Sequence, residues 1–316
     1  MIHSAAEFFA PLSIDEFRSE YWRRRPVQIK GDPKKVEGVF DHTRFFEYCG
    51  HPAVDLYAGQ TFHEVKFQQV GVNAHQAERL FRHGFTIQCE DLHLAHPVLL
   101  EVANHVRDAL GIFSAMEAGA FLSSPGVGFG FHIDPNPDIF SLQIAGTKRW
   151  TFSKLPAMRY PLTQTVLPPK GPPRGDPWQE LERPKVEEFI QIEQQPGDIF
   201  YFPGGVWHAT ATLGESNSCH VVLASTNDTW AELLFSALRP KLDAREAWRN
   251  VGDRSSTTGP EMHAQVAARV AELKEVVAGL EVDELMALLV EQRAARAKGG
   301  YRQHYVAQAQ KGHPKA

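Results

Sequence analysis

Seven short apolar runs lie between about residues 113 and 228, and they constrain the fold more than any other feature of the chain. They cover 119–124, 128–134, 139–153, 188–194, 198–202, 207–213 and 218–226, with glycine or proline punctuating the gaps. Many short strands separated by turn residues predict an antiparallel sandwich or barrel. One segment interrupts them. Residues 156–184 hold eight of the 21 prolines and read as a long irregular excursion.

The flanks differ. Residues 1–110 read as a mixed α/β segment. Ser13-Ile-Asp-Glu16 is a capping-box pattern followed by Phe17, Tyr21 and Trp22 at helical spacing. Pro26 ends that helix, Val27-Gln-Ile29 and Thr86-Ile-Gln-Cys89 alternate as strands do, and 97–110 carries a helical apolar stripe. From about Trp230 the chain is helical. Val266, Val270, Leu273, Val277 and Leu280 mark one face of a helix, and Leu285, Leu288 and Leu289 mark a second stripe. The expected division is therefore 1–110 packing on the core, a sandwich- or barrel-like 111–228, and a helical 229–316 whose stripes read as core or a homodimer seam. Residues 291–316 form a basic tail, read first as a solvated terminus with contact to RNA or an acidic surface as the alternative, and no nucleic-acid partner is expected elsewhere.

Composition excludes several classes. With 316 residues and 43 % hydrophobic content the chain is an ordinary globular one, not a disordered one. A net charge of −5 argues against a polyanion binder as a whole. Cys49, Cys89 and Cys219 are few and far apart, which predicts no disulfide framework and a reducing, cytoplasmic setting. Residues 1–20 carry Glu7, Asp15, Glu16, Arg18 and Glu20, so no secretory leader is expected. No apolar run of about 18 residues predicts a membrane span.

The 15 histidines direct attention to metal. His132-Ile-Asp134 places an imidazole and a carboxylate two residues apart on a predicted strand, where both would face the same side. His208 opens a later strand, after the turns Pro196-Gly-Asp198 and Pro203-Gly-Gly205. Two imidazoles and a carboxylate are the facial triad of non-haem Fe(II) oxygenases; zinc accepts the same donors. Lys148 follows Gly146 by two residues. An inward lysine there requires an anion.

These residues, taken with Tyr21-Trp-Arg-Arg-Arg-Pro26, Phe140-Ser-Leu-Gln143, Gly146-Thr-Lys-Arg-Trp150 and Pro196-Gly-Asp-Ile-Phe-Tyr-Phe-Pro203, carry a resemblance. The stretch from about Gly84 to Ser225 resembles the JmjC-type 2-oxoglutarate oxygenases, in particular the bacterial cupin-like ribosomal-protein hydroxylases. The resemblance implies a mainly β fold with flanking helices, built on a double-stranded β-helix (jelly roll). It implies Fe(II) on His132, Asp134 and His208, with 2-oxoglutarate and O₂ as cosubstrates and the far carboxylate of 2-oxoglutarate on Lys148. Ser123, Ser124 or Ser141 would supply an assisting hydroxyl, since Phe129 stands where some relatives carry one. Ser225, His220 and Gln143 lie on strands that line the pocket in relatives. The implied reaction hydroxylates a side chain of a ribosomal protein or biosynthetic peptide, giving succinate and CO₂. A free amino acid or small metabolite is the alternative substrate. N-methyl-lysine demethylation uses the same chemistry, and a non-catalytic metal-binding cupin is the reading outside enzymology.

Overall fold

The computed structural model describes residues 2–62, 66–250 and 260–296. Thirteen strands form among them: β1 Val27–Ile29, β2 Asp55–Phe62, β3 Lys66–Gly71, β4 Thr86–Glu90, β5 Met116–Ser123, β6 His132–Ile133, β7 Asp138–Ala145, β8 Thr147–Phe152, β9 Thr165–Val166, β10 Ile190–Gln194, β11 Ile199–Pro203, β12 His208–Leu213 and β13 Ser218–Ser225. All pair antiparallel. They build one sheet in the order β1-β11-β7-β13-β5-β4-β2-β3 and a second in the order β10-β8-β12-β6-β9. This is the jelly-roll architecture expected, with each apolar run between 113 and 228 contributing a strand.

Two boundaries depart from the expected runs. The long run 139–153 divides at Gly146, which has φ +66° and lies so close to the backbone that a Cβ would stand 2.2 Å from the Asn217 carbonyl oxygen. Only glycine permits that reversal. The run 128–134 keeps two ladder residues, because its first half is held against β12 by separate bonds such as Thr210 N to Phe129 O (2.9 Å) and Phe129 N to the Thr210 hydroxyl (3.0 Å).

The first 110 residues supply β1 to β4 to the larger sheet. Ser13 caps helix Ile14–Glu20 through Glu16 N. Phe8, Phe9 and Phe17 then pack on Phe140 and Tyr201 of the sheet, with ring centroids 4.8–5.9 Å apart. The Tyr21–Pro26 motif has a structural task. Trp22 Nε1 (2.8 Å), Arg23 Nη2 (3.0 Å), the Tyr201 hydroxyl (3.1 Å) and the Ser225 hydroxyl (3.3 Å) all donate to the buried Asp138 carboxylate. A carboxylate removed from water needs such a set of donors. The network fastens the N-terminal helix to the start of β7, four residues past Asp134.

The described residues fall into two compact units, dividing at Asn227/Asp228. The second holds helices Trp230–Asp243, Glu246–Arg249, Pro260–Ala278 and Val282–Arg296. A Thr229/Glu232 capping box starts it, and Lys241 pairs with Glu284 at 2.6 Å. Val266, Val270 and Val277 of the expected stripe are exposed. The basic tail lies outside the described residues beyond 296. No described helix is long and apolar enough to cross a membrane.

Candidate metal centre

β6 and β12 meet at a single pair, His132 opposite His208, with ring centroids 4.1 Å apart. Asp134 stands just past the end of β6, and its carboxylate turns back to both rings. His208 Nε2 lies 3.4 Å from Asp134 Oδ2, and His132 Nε2 lies 3.7 Å from Oδ1. One donor atom from each residue falls within 4.8 Å of the others, and this is the metal-competent cluster found among the described residues.

Both rings are oriented from behind. His132 Nδ1 bonds the Gly130 carbonyl at 2.7 Å and His208 Nδ1 bonds the Val206 carbonyl at 3.0 Å. A carbonyl can only accept, so both Nδ1 atoms donate, which leaves both Nε2 atoms turned toward Asp134. Burial, with the His208 charge adding to it, pushes His132 down to about 4, so the ring is a neutral ligand at physiological pH. Burial works to raise the Asp134 carboxyl, yet the two imidazoles and a bond from Gln164 hold it below the usual carboxylate range. A neutral His132, an ionised carboxylate and carbonyl-held rings suit a divalent ion.

Lys148 lies deeper on the same sheet. Its β8 position pairs with Thr212 of β12 and Gln194 of β10, and its side chain is wholly buried. Nζ donates to the Ser123 hydroxyl at 3.2 Å, and no carboxylate among the described residues pairs with it. Burial therefore lowers Lys148 to about 7. Nearby, Thr212 Oγ1, His220 Nδ1 and Gln143 Oε1 are buried without a hydrogen-bond partner. His220 stacks on Phe121 at 4.8 Å, and burial together with the Lys148 charge holds it well below the ordinary range. Arg149 points the other way and pairs with Glu193 at 3.2 Å, as alternation requires.

The expected serines separate. Ser123 is set against Lys148. Ser141 donates instead to Gln194 Oε1 (3.2 Å), the cross-strand neighbour of Lys148. Ser124 bonds the Phe81 carbonyl. Ser225 is not brought to this end of the site, because its hydroxyl is spent on Asp138. Trp207 packs with Ile133 and Met158, and Phe140 and Tyr201 belong to the core under the N-terminal helices. Phe202 and Trp150 lie beside His208, with centroids at 4.4 and 5.9 Å.

Next to the metal cluster opens a cavity of about 350 Å³ whose lining includes Gln88, Glu117, Phe129, Asn136, Gln164 and Val222. Gln164 went unread in the sequence. It comes from the proline-rich segment, which is not wholly irregular: it forms β9 and pairs with β6. The alternation Thr163-Gln-Thr-Val166 was the available signal.

Residues 93–233 match the JmjC domain family. Ribosomal oxygenase 1 of Gallus gallus is 23 % identical over 250 residues, covering 74 % of this chain and 39 % of that protein. The bifunctional lysine-specific demethylase and histidyl-hydroxylase NO66 of Drosophila grimshawi is 24 % identical over 250 residues, covering 73 % of this chain and 31 % of that protein. The chain thus spans well under half the length of these two relatives. A third relative, the uncharacterized protein YxbC of Bacillus subtilis, is 22 % identical and is covered over 76 % of its length. Among solved structures, YcfD, a ribosomal oxygenase from Escherichia coli in complex with cobalt and 2-oxoglutarate, superposes with a TM-score of 0.59 at 18 % identity, over 90 % of this chain and 71 % of that one. The fold is shared, and the resemblance read from the sequence is borne out.

Proposed function

We propose that this chain, with its JmjC domain at residues 93–233, is an Fe(II)- and 2-oxoglutarate-dependent oxygenase that hydroxylates a side chain of a protein or peptide. The observation that carries the reading is the pairing of two unlike features on one sheet: the His132–Asp134–His208 cluster and the buried, carboxylate-free Lys148. A metal-binding module would need only the first. A ketodiacid that chelates a metal with one end and presents a carboxylate at the other needs both.

His132, Asp134 and His208 would hold the iron, which when loaded with 2-oxoglutarate and O₂ supplies oxidation of an unactivated C–H bond, with succinate and CO₂ as coproducts. The chain's part is placement. The Gly130 and Val206 carbonyls keep both Nε2 atoms turned to the metal side. The Lys148 ammonium and the Ser123 hydroxyl receive the far carboxylate, with Thr212 as the adjoining donor. Ser124 and Ser141, also offered for that hydroxyl, bond Phe81 and Gln194 instead, and Ser225, expected on a pocket-lining strand, bonds Asp138. Phe202, Trp150 and Phe129 exclude water around the rings. The cavity beside Asp134 receives the substrate side chain. The names of the relatives support a ribosomal protein as first candidate substrate.

The reading extends further. The chain would be organised as 1–110 packing on the core, a β domain at 111–228 and helices at 229–316, and the exposed Val266, Val270 and Val277 support homodimerisation through those helices. Three free, buried cysteines support a cytoplasmic setting. The purified protein with Fe(II), ascorbate, O₂ and 2-oxoglutarate should form succinate, and His132→Ala should not. Ribosomal proteins and peptides presented to it should yield a product heavier by one oxygen. Succinate formation undiminished in His132→Ala would refute the assignment.

A further inference from the structure

The proline-rich segment 156–184 reaches the metal cluster at two points. Val166 of β9 pairs with His132 and Thr165 with Ile133, and Leu167 N donates to Phe131 O at 2.9 Å. Continued by one residue, that register sets Gln164 beside Asp134, and Gln164 Nε2 donates to Asp134 Oδ1 at 3.1 Å. Gln164 also lines the cavity.

The segment is built to hold that residue still. Asp176 is buried at its centre and accepts from Leu162 N (2.7 Å) and Trp178 N (2.9 Å), while Asp176 N donates to the Thr165 hydroxyl at 3.1 Å. Val166 and Arg174 exchange backbone bonds of 2.8 and 3.0 Å. Gly175 lets the return strand pass, since a Cβ there would stand 2.3 Å from the Gln164 carbonyl. Arg183 donates to the carbonyls of Pro168, Pro169 and Gly171, which closes the far end. Backbone on both sides of Gln164 is therefore fixed, and its side-chain amide is set against the ionised Asp134 carboxylate.

We infer that Gln164 is a positioning residue for the metal centre. Its amide holds one oxygen of Asp134 and keeps the carboxylate in the orientation that faces both histidines. Hydrogen bonds of this kind to a ligand carboxylate alter metal affinity by roughly 10- to 100-fold. The inference rests on the metal-dependent reading above. It makes the proline-rich segment part of the active site.

Cobalt(II) serves as the probe, titrated into the full chain and followed by visible absorption, which reads the site without turnover. Gln164→Leu preserves volume and removes the donor; Gln164→Ala repeats the test should the leucine variant fold poorly. Both should bind cobalt about 10- to 100-fold more weakly, with the melting temperature of the metal-free protein unchanged. Wild-type cobalt affinity in a folded Gln164 variant, beside loss of binding in Asp134→Ala, overturns the inference and leaves the metal reading standing. Affinity unchanged in Asp134→Ala as well overturns both.

Discussion

The two ends of the site are built on opposite terms. At the metal end the parts are held in place within the chain: Asp134 faces two imidazoles, both imidazoles are held by carbonyls, and Gln164 bonds the carboxylate. At the far end a wholly buried ammonium has a hydroxyl for company, among three buried polar atoms without partners. A folded chain tolerates the first arrangement easily. The second costs stability, because a buried cation without an anion is disfavoured. The metal end is organised in advance, whereas the Lys148 end is completed by its ligand.

That contrast makes predictions of graded size. The largest concerns the metal end. Asp134→Ala should abolish turnover and weaken cobalt or Fe(II) binding by more than about 100-fold, with little change in melting temperature, since Asp134 is partly exposed. A variant that binds metal normally would erase the distinction between the two ends.

Next is Lys148→Met. Loss of a charge-assisted bond to the cosubstrate should weaken 2-oxoglutarate binding by roughly 30- to 1,000-fold, measured by calorimetry. The same change should raise the melting temperature of the ligand-free protein by a few degrees, on the order of a kcal/mol or more. Lower stability in Lys148→Met would show that the lysine is satisfied by the fold and not by a ligand.

The third concerns pH. Lys148 falls from an ordinary 10.5 to about 7 on burial. Between those values the unfolded chain binds a proton that the folded chain does not, so stability should rise with pH across that window. Affinity for 2-oxoglutarate should fall over the same window, because the uncharged amine gives the carboxylate no ion pair. Lys148→Met should flatten both slopes relative to wild type.

The smallest effect belongs to Ser123→Ala. One neutral hydrogen bond is worth about 1 kcal/mol, so 2-oxoglutarate affinity should drop about fivefold. A loss as large as that of Lys148→Met would make the hydroxyl the principal anchor.

Much of this was legible in the chain because the signals are local. The apolar runs ending at glycine and proline marked strands to within a few residues, and His132-Ile-Asp134 with a later His208 named the cluster. Lys148 could be placed inward because strand alternation sends Arg149 out. What stayed hidden depends on long-range contact. β2 and β3 mix Gly59, Gln60 and Thr61 with apolar residues and owe their form to pairing with β4 and each other. Asp138 gathers donors from residues 22, 23, 201 and 225, which no spacing connects. Ser225 lay on the expected strand but serves this network. Gln164 was obscured by the prolines around it, in a segment whose hairpin is held by Asp176 and Arg183.

The central claim is that one ligand spans both ends, and calorimetric titration of 2-oxoglutarate into the full chain tests it directly. With cobalt(II) present, wild type should bind, and Asp134→Ala and Lys148→Met should each lose most of that affinity. Absence of binding to the cobalt-loaded wild-type protein, or binding that survives both substitutions, would contradict the account.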